Sequence, residues 1–105
     1  MSYSIKYTET AIQDIDNIYE YIAYDLSEPA TAAKMLDRFE EKIKALGNMP
    51  LKFREYDVEP WKSRGMHIMP VGNYIVLYTP NEKTEVVTVN RVFYGGMDIP
   101  QHLQE

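Results

Sequence analysis

The 105-residue chain contains no cysteine, which excludes disulfide bridges and thiolate metal sites. No apolar run approaches the ~20 residues of a membrane-spanning helix. The first ten residues, MSYSIKYTET, also lack the basic and apolar regions of a signal peptide. Positive charge is scarce as well, because 16 acidic side chains oppose 11 Lys and Arg and leave a net charge of -5. These absences favour a cytoplasmic protein without a membrane segment, and they count against nonspecific nucleic-acid binding.

The chain does contain enough apolar material for a core. Apolar residues make up 45% of the sequence and include nine Tyr and three Phe. A chain of this length is close to the lower end of the common domain range of about 100 to 200 residues. We therefore expect a single domain over residues 1–105 with one core.

The N-terminal part of the sequence predicts a strand and then a helix. Residues 3–7 alternate apolar and polar side chains, as in a half-buried strand. From Thr8 onward the apolar spacing changes to three and four residues, which predicts a helix capped by Thr8 or Thr10. Asp14 and Asp16 are expected on its solvent-exposed face. Its apolar face comprises Ala11, Ile12, Ile15, Ile18, Tyr19, Ile22 and Leu26.

A second helix is predicted after Ser27 and Glu28, because Pro29 is favourable in a first helical turn. Its apolar residues recur close to every 3.5 positions, which predicts an antiparallel hairpin with the first helix. Gly47 is expected at the position after the last turn that favours glycine, with Pro50 following. The apolar positions of this second helix are Ala32, Leu36, Phe39, Ile43 and Leu46.

The second half of the sequence predicts a long connection and then three strands. Residues 51–65 show no period, and their aromatic side chains either cover the core or anchor a partner. Gly72 and Asn73 suit a tight turn between two apolar runs, and residues 85–94 are rich in β-branched side chains, which predicts a central strand. The predicted class is α+β with the order β-α-α-β-β-β. The helical hairpin packs on one face of a small, mainly antiparallel sheet.

Several local strings in this order resemble the RelE/ParE superfamily of toxins. They are AIQDIDNIYEYIA in the first helix, Leu46 to Pro50 at the exit of the second, Arg64-Gly65, Asn73 to Tyr78, and Val89 to Tyr94 with Asp98. The resemblance implies the toxin of a type II toxin–antitoxin module, neutralised by a cognate antitoxin. Relatives act on DNA gyrase or cleave messenger RNA on the ribosome, and the resemblance implies no cofactor and no metal. A homodimer or a toxin–antitoxin hetero-oligomer is expected.

Carried over position by position, the resemblance implies Arg64, Arg91 and Tyr94 as catalytic residues of the ribonuclease branch. Each has a structural alternative: Arg64 as a solvated loop charge, Arg91 paired with a carboxylate of a helix or turn, and Tyr94 as a packing residue. His67 is interpreted as a strand residue, because neither histidine has the spacing of a metal site.

The charge balance favours one branch of the superfamily over the other. The ribonuclease branch uses a basic and aromatic cluster to stabilise charge during RNA cleavage. This chain is acidic and lacks a dense Lys/Arg array around the predicted sheet. We therefore expect the gyrase type or another target bound without RNA cleavage, and whether the protein is an enzyme stays open. The alternative is a non-toxic, degenerate relative that serves as a protein-interaction or regulatory module.

Overall fold

The structure, a computed structural model, describes residues 2–95. The predicted polar tail with Asp98, Pro100 and His102 lies outside this range. Within it no helix is long and apolar enough to cross a membrane. The elements are β1 (Ser4–Tyr7), α1 (Glu9–Glu20), α2 (Pro29–Ala45), β2 (His67–Val71), β3 (Tyr74–Asn81) and β4 (Val86–Tyr94). The predicted order of elements is confirmed.

Thr8 joins the start of α1 to the sheet. Its Oγ1 accepts a hydrogen bond from the Ala11 amide at 3.0 Å and donates one to the Asn90 carbonyl at 2.9 Å. The first bond satisfies one of the amides that a helix leaves unpaired at its N-terminus. Of the two predicted caps, Thr8 is therefore the residue used.

Replacing Thr8 with Ala is expected to lower the free energy of unfolding by about 1 kcal/mol, because the cap is lost. Thr10→Ala is the matched control, since Thr10 is exposed inside the same helix. Thr10→Ala is expected to change the free energy of unfolding by no more than about 0.5 kcal/mol. Urea denaturation followed by circular dichroism measures both, and equal effects would contradict the assignment of the cap.

α1 ends in a π-helical turn, whereas α2 ends in ordinary helical geometry at Leu46. Tyr21–Asp25 form a π-helical turn that continues α1, and the Leu26 amide donates to the Tyr21 carbonyl at 3.0 Å. Pro29 occupies the first turn of α2, as predicted. Gly47 directly follows the C-cap residue Leu46, where the sequence predicts it, but its φ is not positive. Glycine is needed there because a Cβ would lie 2.8 Å from the Tyr3 carbonyl oxygen.

The four strands form one mixed sheet in the order β1-β4-β3-β2. β1 pairs with β4 in parallel, and the other two pairings are antiparallel, which confirms the predicted α+β class. Both helices pack on one face. Phe39 and Ile43 from α2 meet Tyr78, Val87 and Val89 of the sheet in the main core.

The segment between α2 and β2 covers the opposite face of the sheet. Tyr56 is buried there against Leu77 and Phe93, and Trp61 packs beside them. Phe53, from the same segment, packs against the main core. The aromatic side chains of this connection therefore cover core surface, the first of the two predicted alternatives.

Candidate functional site

The end of β4 extends beyond its parallel neighbour β1. β1 pairs only with Val86 to Val89, so the following residues of β4 have no strand on that side. α1 lies there instead, and an Asp14 carboxylate oxygen accepts a hydrogen bond from the Val92 amide at 2.9 Å. A buried backbone amide without an acceptor costs free energy. The Asp14 carboxylate therefore accepts the hydrogen bond that a carbonyl of a neighbouring strand would otherwise accept from Val92.

A β-bulge in β4 determines which side chains reach this region. Leu77 pairs with Arg91, but the next residue of β3, Tyr78, pairs with Val89, so Asn90 is the extra residue. A bulge shifts the alternation of the strand by one position. Arg91 therefore shares a face of the sheet with Phe93 and not with Val87 and Val89. Without the bulge, the alternation of the sequence would place Arg91 on the same face as Val87 and Val89.

Arg91 forms a bidentate ion pair with Asp14. Nε lies 2.7 Å from one carboxylate oxygen and Nη2 lies 3.1 Å from the other. The guanidinium also stacks on the Phe93 ring, 4.5 Å from its centroid. Only 24% of the Arg91 side chain and 13% of the Asp14 side chain are exposed. The predicted pairing of Arg91 with a helix carboxylate is confirmed, and the partner is Asp14.

Beside this ion pair lies a cavity of about 780 Å³ between α1 and the end of the sheet. Tyr21 and Leu26, from the π-helical turn and its end, line one side, and Tyr74 and Tyr94 line the other. The Tyr74 and Tyr94 rings meet edge to face with centroids 5.8 Å apart. Four of the ten residues that line this cavity, which we call the β4 cavity, are aromatic, and one is a paired cation.

Tyr74 is poorly suited to take up a proton from a substrate. Burial raises the pKa of its phenol above the ordinary value, and the neighbouring Tyr94 and Tyr21 raise that pKa further. The side chain therefore stays protonated at neutral pH, so it can donate a hydrogen bond but cannot act as a general base.

The structure brings together two of the three residues implied by the resemblance. Arg91 and Tyr94 both line the β4 cavity, whereas Arg64 is not among its lining residues. Arg64 lies in the connection before β2, where its guanidinium stacks over the Trp61 ring at 4.9 Å. Tyr94 is half exposed at the mouth of the cavity. A catalytic role for the three residues stays a prediction.

The sequence predicts Asp14 on the solvent-exposed face of α1, and this prediction is wrong because only 13% of its side chain is exposed. Its position three residues after Ala11 and four before Ile18 places it within the apolar stripe. That spacing is the signal that could have identified it. Within residues 2–95 no cluster of His, Asp and Glu has the arrangement of a metal site. His67 Nδ1 contacts the Phe53 carbonyl oxygen at 2.8 Å.

Comparison with known families decides the classification. The family profile described as ParE toxin of type II toxin-antitoxin system, parDE, matches residues 5–99. The chain belongs to the ParE toxin family. The match includes all of α1 and β4, and hence both sides of the β4 cavity in this ParE-family chain.

Solved structures show the same fold. The chromosomal ParDE toxin–antitoxin system of Pseudomonas aeruginosa contains a chain that is 20% identical with a TM-score of 0.71, covering 89% of this chain and 96% of that one. The RelBE2 toxin–antitoxin complex of Mycobacterium tuberculosis gives 21% identity and a TM-score of 0.64, with 90% and 99% covered. A chain of the E. coli RelBE toxin–antitoxin complex is 11% identical with a TM-score of 0.65, and the match covers 91% of this chain and 100% of that one. No curated protein sequence matches this ParE-family chain.

Proposed function

We propose that this ParE-family chain inhibits growth by binding an essential protein, with DNA gyrase as the first candidate, and that a cognate antitoxin neutralises it. The observation that carries the proposal is the Arg91–Asp14 ion pair in the β4 cavity. A cation held by a carboxylate on the same chain offers little net charge to a phosphate. Four of the ten residues that line the cavity around it are aromatic, which suits a protein surface.

Metal-free RNA cleavage would make different demands on the same cavity. In-line attack by a 2′-hydroxyl requires stabilisation of the charge that develops on the phosphate, together with proton transfer. Among the described lining residues, Arg91 is already paired with Asp14 and Tyr74 is protonated. Tyr94 is the remaining candidate for proton transfer, but no second Lys or Arg accompanies it in this lining. The net charge of -5 adds repulsion of the RNA backbone.

The antitoxin partner is proposed from family membership and from the structural neighbours. The systems of P. aeruginosa, M. tuberculosis and E. coli are described as toxin–antitoxin systems or complexes. A toxin that binds its target through an exposed aromatic surface can be neutralised by a partner that covers this surface.

Inducible expression in a bacterial host, with and without the adjacent open reading frame, tests the proposal. We expect growth arrest that the neighbouring product relieves, with altered plasmid supercoiling and intact messenger RNA. Purified protein should inhibit supercoiling by gyrase in vitro.

Specific mRNA cleavage that disappears in Arg91→Ala would overturn the choice of target. Harmless expression in a competent host would instead support the non-toxic interaction module.

Tyr94→Ala tests whether the β4 cavity contacts the target. Tyr94 is 53% exposed, so its removal should change stability by no more than about 1 kcal/mol. If it anchors the target, the concentration needed for half-inhibition should rise at least about tenfold. Tyr24→Ala is the matched control, because Tyr24 is exposed but does not line the cavity. Equal inhibition by both variants would exclude this surface.

A further inference from the structure

Three tyrosines from different elements line the β4 cavity. Tyr74 belongs to β3, Tyr94 to the end of β4, and Tyr21 to the start of the π-helical turn. The planes of the Tyr74 and Tyr94 rings meet at 75°, so these two rings form a corner of the cavity. Tyr21 and Tyr94 are each 53% exposed, which leaves them accessible to a second molecule. We call these three side chains the tyrosine cage.

This chain stacks its own guanidinium groups on aromatic rings. At the wall of the β4 cavity, the Arg91 guanidinium lies 4.5 Å from the centroid of the Phe93 ring. In the connection before β2, the Arg64 guanidinium lies 4.9 Å from the centroid of the Trp61 ring. Both distances are within the roughly 6 Å over which the negative face of a ring attracts a cation. The ring faces of the tyrosine cage offer the same contact to a cation from outside.

The wall of the cavity that comes from α1 and the π-helical turn is acidic. Between Lys6 and Lys34 the sequence contains six carboxylates and no Lys or Arg. Two of these carboxylates flank the start and the end of the turn: Glu20 precedes Tyr21, and Asp25 ends the turn. Both are exposed, and neither forms a salt bridge with another described residue. Their field, together with the net charge of -5, attracts cations to this part of the surface.

The single cation among the described lining residues does not cancel this attraction. Arg91 forms its bidentate ion pair with Asp14, which is also a lining residue. The two opposite charges are in direct contact, so together they contribute little net charge to the cavity. An entering cation therefore meets ring faces and a negative field.

We propose that the tyrosine cage binds an arginine side chain of a partner protein. The guanidinium would lie against the ring faces of the cage, and the alkyl chain would lie against Leu26. The cavity of about 780 Å³ is within the range of about 300–1,000 Å³ that is typical of ligand pockets, so it accommodates a long side chain. Arginine is favoured over lysine, because its planar group stacks on rings and is more weakly hydrated.

Arginine is also a residue type that often dominates the binding energy of protein interfaces. If the partner is the growth target, the inference rests on the proposed function and identifies the chemistry of the target surface. Arginine binding by the cage can be measured without any target, so the two proposals are tested separately.

Titration of the purified chain with N-acetyl-arginine methylamide, followed by nuclear magnetic resonance, tests the proposal. The matched probe is the citrulline analogue, which has a similar shape but a neutral side chain. We expect the arginine probe to bind with a dissociation constant on the order of 1 mM. It should bind about five- to thirtyfold more tightly than the citrulline probe, because only the cation is attracted to the ring faces. The signals of its methylene protons should move upfield, as expected beside aromatic rings.

Two pairs of substitutions separate the ring faces of the cage from its hydroxyl groups. Tyr21→Leu/Tyr94→Leu removes two ring faces at half-exposed positions and should weaken arginine binding about five- to thirtyfold. Tyr21→Phe/Tyr94→Phe keeps both faces and should bind arginine within about twofold of the natural chain. Tyr24→Leu is the matched control, because Tyr24 belongs to the same turn but does not line the cavity. This control should bind arginine as the natural chain does.

Four results would overturn the proposal: equal affinities for the arginine and citrulline probes, equal losses in the Leu and Phe double variants, an equal loss in Tyr24→Leu, or tighter binding of adenosine monophosphate than of arginine. Growth assays separate these results from the proposed function. A chain that is harmless in cells but binds arginine through Tyr21 and Tyr94 retains the cage and is not a toxin. A toxic chain without this selectivity for arginine retains the proposed function and contradicts the cage.

Discussion

Asp14→Ala is expected to lower the free energy of unfolding by about 2–3 kcal/mol. The substitution removes the acceptor for Arg91 Nε, Arg91 Nη2 and the Val92 amide in one step. Breaking a fully buried ion pair costs about 3–5 kcal/mol, and the partial exposure of both side chains reduces this value. Urea denaturation followed by circular dichroism gives the difference.

Asp16→Ala is the control for this prediction, because Asp16 is exposed two residues later on the same helix and forms no salt bridge with described residues. Its effect should stay within about 0.5 kcal/mol. Combining Asp14→Ala with Arg91→Ala should cost less than the sum of the single changes, as expected for residues that interact directly. Additive effects would show that the ion pair contributes nothing to stability.

Phe39→Ala is expected to lower the free energy of unfolding by about 3–5 kcal/mol, the loss typical of a large buried side chain. Only 2% of Phe39 is exposed. Its ring meets the Tyr74 ring edge to face with centroids 5.5 Å apart, and it packs within the main core. A domain is stable by only about 5–15 kcal/mol, so this variant is expected to be partly unfolded at 37 °C.

Leu36→Ala provides the comparison for Phe39 on the same helix. Leu36 lies one turn earlier and is 40% exposed, so its truncation should cost less, about 1–2 kcal/mol. Thermal unfolding followed by circular dichroism distinguishes the two variants. Similar midpoints would mean that α2 is packed differently from the arrangement described above.

The elements of the fold could be predicted because each has a local cause in the sequence. The three- and four-residue spacing defines the helices, Pro29 marks the start of α2, and Gly72 with Asn73 marks the turn between β2 and β3. These signals need only neighbouring residues. Gly47 shows the limit: its role depends on the Tyr3 carbonyl, which comes close only when β1 packs beside the end of α2.

The geometry of the candidate site depends on contacts between distant parts of the chain. The bulge at Asn90 reverses the alternation of β4 before Arg91, and no local signal in the strand sequence reveals it. Asp14 appeared to be a surface carboxylate, because its partners Arg91 and Val92 follow it by more than 70 residues. Arg64 and Tyr94 were predicted from resemblance, and their roles require the functional tests described above.

The pairing of β1 with β4 has a consequence for how the protein is made. The partner of the first strand is β4, which follows it in the sequence by roughly 80 residues. At about 5–20 residues per second, the roughly 80 residues between them take on the order of 4–16 s to emerge from the ribosome. Until β4 has emerged, Asp14 lacks its partner Arg91 and the β4 cavity lacks the lining residues that β4 contributes. Each new molecule therefore passes several seconds in which α1 and α2 have been synthesised but the β4 cavity is incomplete.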